Sequence, residues 1–82
     1  MSRRLDPPPW EALSPARRRA GLSMHELYLR YVELGGSAPA PLLARHLADG
    51  SALNDREHDL AVLALNERFL ELDVTERLPY VT

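Results

Sequence analysis

The stretch HELYL, residues 25 to 29, carries the first two residues of the His-Glu-x-x-His zinc motif and lacks the third. That motif works because imidazoles at i and i+4 share a helix face and converge on one ion. Position 29 is leucine, so the pair is broken. Glu26 has a plainer use three residues after Ser23, as the capping-box partner of that serine. His46 and His58 fall in two other predicted elements with no metal-ligand spacing between them. All three histidines are expected to be solvated or hydrogen-bonded, with no metal or cofactor.

Nucleophilic chemistry has as little to build on. Ser14, Ser23, Ser37 and Ser51 stand at turn or cap positions, where a hydroxyl satisfies backbone donors. There is no Gly-x-Ser-x-Gly elbow, phosphate-cradling glycine loop, dinucleotide fingerprint or cysteine. Asp59, Glu67, Glu71 and Asp73 read as a solvated helix face rather than as paired catalytic carboxylates. The expected class is non-enzymatic.

The elements that would position any site are helical. An 82-residue chain makes one domain at most, with a thin core. Residues 1 to 13 read as an extended, proline-rich arm, because three prolines fix φ and bias residues 6 to 9 to polyproline II. SPARRRAG predicts a minimal helix over 15–20, capped by Ser14 and stopped by Gly21. Ser23 and Glu26 open a second helix over 24–34, with Met24, Leu27, Tyr28, Tyr31 and Leu34 on one face and a Glu26–Arg30 pair opposite. APLLARHLADG predicts a third helix over 41–49, with Leu43 and Leu47 facing one way and Leu42 and His46 on a neighbouring strip. NDRE, capping-box-like, starts a long helix over 55–73, where Asp55, Glu57 and Asp59 suit the helix dipole. Pro79 leaves an extended tail, 74–82. The fold class is all-α, a three-to-four-helix domain over 14–82 behind the arm.

LDPPPW, GLSMHELYLRYVELGG and EHDLAVLALNERFLELD followed by PY together span most of the chain. In these stretches it resembles small helical proteins of high-GC Gram-positive bacteria. The resemblance implies a bacterial, cytoplasmic protein and brings no functional residue with it. Composition agrees: all ten Lys+Arg positions are arginine, and lysine, isoleucine and glutamine are absent, as GC-rich coding favours. No run is long and apolar enough for a membrane span, and no signal-peptide pattern opens the chain, so a soluble protein is expected.

Charge divides the chain. Residues 1 to 22 hold five arginines against two acids, and residues 23 to 82 hold five against ten. A helix-turn-helix regulator using a basic arm is therefore the alternative function. Against it, the third helix of such a domain would enter the major groove with NDREHD at its tip, whose acids would repel phosphates. Trp10 is expected to dock on the helices as a strap, since a thin core gains most from one more aromatic. Arg17, Arg18 and Arg19 are candidates for a partner or for the chain's own acidic helix. On the long helix, Ala61, Val62, Leu65, Phe69 and Leu72 share a broad face. Leu63 and Leu70 project elsewhere, with Asn66 and Asp73 in the gap. That leftover strip predicts a homodimer through Leu63 and Leu70, with Asn66 pairing across it to fix register. The expected function is a regulatory or adaptor protein acting through protein contacts.

Overall fold

A computed structural model of the protein describes residues 7–82. Four helices make up the fold: α1 (Leu13–Arg19), α2 (Met24–Glu33), α3 (Ala40–Asp49) and α4 (Asp55–Glu71). There is no strand among the described residues, so the all-α expectation holds. Each of the four expected helices is present. Residues 1 to 6 of the arm, which include part of the expected polyproline stretch, lie outside the described residues.

The first correction concerns how the arm enters the fold. Pro8 is extended, but a 3-10 turn already begins at Pro9 and runs through Ala12 directly into α1. Ser14 therefore caps nothing. It lies inside α1, and its hydroxyl contacts the Leu47 carbonyl at 3.5 Å. The turn supplies the helix entry that a side-chain cap supplies elsewhere, with the Leu13 N–H bonded to the Trp10 carbonyl. It also lays Trp10 against the core, as a strap. The indole lies against Gly50 at the end of α3, so closely that a Cβ there would come within 2.1 Å of the ring.

Helix α2 begins where the sequence says, with both capping-box bonds between Ser23 and Glu26 formed. Its expected Glu26–Arg30 pair is not used. Arg30 instead reaches across to Glu71 of α4 in a two-pronged pair, at 2.8 and 2.9 Å. The Glu26 carboxylate is taken by its capping bond from the Ser23 N–H, whereas Glu71 offers both oxygens to the guanidinium fork. Helix α4 ends two residues early, at Glu71, and Leu72 leaves the core face to stand 40% exposed.

The core joins Leu13 and Ala16 of α1, Leu27 and Tyr31 of α2, Leu43 and Leu47 of α3, and Ala61, Val62, Leu65 and Phe69 of α4. Its polar centre is the Tyr31 hydroxyl. That group donates to Glu57 Oε1 at 2.5 Å and accepts the Ala38 N–H at 2.9 Å. Glu57 also accepts from the Ser37 N–H at 2.9 Å and from Arg56 at 2.6 Å. Burial and the Glu57 bond push the Tyr31 phenol up to about 12, while the Tyr31 bond chiefly holds the Glu57 carboxyl below its usual range. Gly36 lies on the Tyr31 ring, where a Cβ would sit 2.4 Å from it.

Two outcomes test this packing. Trp10 emission should be blue-shifted relative to water. Gly50→Ala, at φ +75° beneath the indole, should redden it and destabilise the fold by about 1 kcal/mol or more in urea melts. Tyr31→Phe should cost about 1–3 kcal/mol at neutral pH, because it strips Glu57 of a donor and Ala38 of an acceptor.

Candidate interaction surface

Among the described residues no group of three or more metal-ligating side chains gathers. The histidines divide. His25 is exposed, whereas His46 of α3 and His58 of α4 are buried together, with Nε2 of one 2.9 Å from Nδ1 of the other. Spacing of twelve residues across a turn gave no hint of that meeting. The rings are edge-to-face, and the second nitrogen of His46 is buried without a partner. Burial lowers both pKa values. The neighbouring imidazole adds to this at His46 against Asp49, while Asp59 and Asp55 oppose it at His58. The pair works as a neutral hydrogen-bonded unit between two helices.

The three arginines of α1 divide as well. Arg17 donates to the Leu22 carbonyl at 2.7 Å and closes its own helix end. Arg19 pairs with Glu76 of the tail, not with the acids of α4. Arg18 is exposed. A fourth arginine, Arg68 of α4, bonds the Ala20 carbonyl at 3.0 Å. Two of the three arginines of α1 are thus engaged within the chain.

Helix α4 carries the surface of interest. Ala61, Val62, Leu65 and Phe69 are buried against the other helices. Leu63 is half-buried, and Leu70, one heptad on, is 67% exposed. Beside this strip lie Asp59 and Asn66, also seven residues apart, and both hold the tail. Asn66 pairs with one tail residue in both directions. Its Nδ2 donates to the Leu78 carbonyl at 3.0 Å, and its Oδ1 accepts the Leu78 N–H at 2.7 Å. Asp59 accepts the N–H groups of Val81 and Thr82 at 2.8 and 3.1 Å, and the Thr82 hydroxyl. Burial works to raise the Asp59 pKa, but those three donors outweigh it and leave the carboxyl below its ordinary value.

Asn66 is therefore already satisfied within its own chain, and an amide–amide pair across a dimer would first have to break these bonds. Its 7% exposure follows from the tail lying over it. Sequence reasoning placed Asn66 and Asp73 in the polar gap of α4 but not the peptide that fills it. The signal was there in the seven-residue repeat Asp59, Asn66, Asp73 beside an apolar strip.

Tyr80 of the tail stands beside the strip and separates two clefts. One, of about 300 Å³, is lined by Leu63, Glu67 and Leu70; the other, of about 490 Å³, by Arg56, Leu60 and Leu63. A third, apolar cleft of about 500 Å³ separates the tail at Leu78 and Tyr80 from the strap at Pro8 and Ala12. No protein-family model, no curated protein sequence and no solved structure matches the chain.

The histidine pair sets a pH dependence. Both imidazoles titrate below their ordinary 6.5 when folded, so the unfolded chain takes up protons first as pH falls. Stability should be level above pH 6.5 and decline below it, before the carboxylates titrate. Urea melts between pH 7.5 and about 5 should show this slope, and His46→Leu with His58→Leu should flatten it.

Proposed function

We propose that the chain is a non-enzymatic regulatory or adaptor protein that acts through protein contacts, as a homodimer built on the outer face of α4. The observation that carries this reading is Leu70, 67% exposed one heptad after Leu63, on a helix whose other face is spent on the core. Tyr80, also exposed, lines one cleft with Leu63 and Leu70 and extends the apolar surface from the helix onto the tail. A heptad-spaced pair is self-complementary under a two-fold axis, which favours a second copy as occupant.

The alternative, a helix-turn-helix regulator, asks the first turn of α4 to face a duplex. Glu57 and His58 in that turn are buried. Arg17 and Arg19 of the basic segment are engaged within the chain. These features favour a protein partner over a nucleic acid. No helix among the described residues is long and apolar enough to cross a membrane, in keeping with a cytoplasmic reading.

Light scattering at micromolar concentration should report a dimer. Leu63→Glu with Leu70→Glu should give a monomer with unchanged helical circular dichroism. A monomeric wild type overturns the reading, and a double variant that unfolds rather than dissociates places both leucines in the intrachain core.

A further inference from the structure

His46 and His58 form the one hydrogen bond between α3 and α4 among the described residues. The pair lies under the strap. Gly50, against which Trp10 packs, stands one turn after His46 and so shares its face of α3. A cavity of about 160 Å³ is lined by both imidazoles and Asp55, by Pro9 and Trp10 of the strap, and by Val81 of the tail.

The pair has no place for a third proton. When neutral it carries two protons over four ring nitrogens. One lies in the bond and the other rests on His58 Nε2, which leaves His46 Nδ1 a bare acceptor. A third proton removes that choice. The bond still takes one, so the other two occupy both outer nitrogens and His46 Nδ1 becomes a donor. That nitrogen is buried without a partner. A charged ring whose N–H meets neither acceptor nor water is costly. A fourth proton sets two N–H groups face to face across 2.9 Å and breaks the bond. Asp49 of α3 and Asp55 and Asp59 of α4 are the charges that favour a protonated pair. Among the described residues, no charge from α1, α2, the strap or the tail acts on either ring.

With the strap shut, His46 Nδ1 is out of reach of water, so solvating a protonated pair requires one wall to move. The wall that yields is the strap. Among the described residues no hydrogen bond joins 7–12 to α2, α3, α4 or the tail, and no residue of the 3-10 turn is fully buried. The helices are pinned by the core leucines and by Tyr31 on Glu57, and Val81 is pinned by Asp59. Segments with few buried contacts and no bonds to the body open first. We propose that protonation of the His46–His58 pair releases the strap, residues 7–12, from α3 while the helices stay packed, so that this face opens in mild acid. Release joins the cavity to the neighbouring cleft and bares Leu13 and Val62, which line that cleft with Pro8 and Pro9. The device does not depend on the α4 dimer.

Trp10 is the single tryptophan, so its emission reports the strap alone. In a titration from pH 7.5 to about 5, emission should move to the red below pH 6.5 while helical circular dichroism holds. Both rings titrate below their ordinary 6.5 in the closed form. The opening constant should therefore rise up to about tenfold per pH unit for one proton taken up, and up to about a hundredfold for two. Asp49 and Asp59 are held below their ordinary range and stay ionised through this window. His46→Gln with His58→Gln should keep the emission blue throughout. In the wild type, proton NMR should show the ring signals of two histidines shifting with the emission midpoint. Emission that stays blue to the end, or reddens only together with loss of helix, would overturn the proposal. So would histidine signals that titrate with no change in emission, or a folded double variant whose emission still reddens.

Discussion

Glu57 is a carboxylate in the first turn of α4, buried beneath Tyr31, and a buried charge is tolerable only while each of its partners is in place. Tyr31 comes from α2, Ser37 from the loop after it, and Arg56 from α4 itself. The same phenol holds Ala38, at the approach to α3. One oxygen pair therefore fixes the distance between α2 and α4 and the path of the chain into α3. The remaining packing follows from this. With α2 and α3 placed, Leu27, Leu43 and Leu65 are buried together, and α1 and the Trp10 turn close the other side.

Local grammar was legible in the sequence; long-range polar chemistry was not. Ser23 and Glu26, Asn54, Gly35 and Gly50 announce helix ends because caps act within a few residues. The core stripe on α2 and the buried face of α4 followed from helical period. Glu57 was assigned to the helix dipole, since nothing near it in sequence names Tyr31, 26 residues earlier. His46 and His58 looked unrelated for the same reason. Arg19, Arg30 and Arg68 each found partners more than forty residues away. Polar side chains select partners by final geometry, which hydrophobic period does not encode.

The strip on α4 and the tail beside it show the same division. Leu63 and Leu70 were separable from the core face by angle alone, and the structure leaves Leu70 exposed. Asn66 was expected to meet a second copy, and within the chain it bonds Leu78 instead. An amide in an apolar setting must bond something, and sequence pattern cannot say whether that is another copy or the chain's own extended segment. Leu78 resolves it here, by offering both an N–H and a carbonyl to one side chain.

A chain of this size buries only about 60% of the surface its unfolded form exposes, so the three shorter helices cannot enclose α4. The tail adds a partial cover: nine residues with no secondary structure, in which the buried N–H and carbonyl of Leu78 are satisfied by Asn66. That cover is incomplete by construction of the helix. A single extended strand follows one groove, and the groove holding Asn66 is offset from the line of Leu63 and Leu70. Moving the tail over the leucines would expose Val62 and free the asparagine, so the two demands cannot both be met by one segment. What remains uncovered is an apolar strip bordered by a tail held through its backbone.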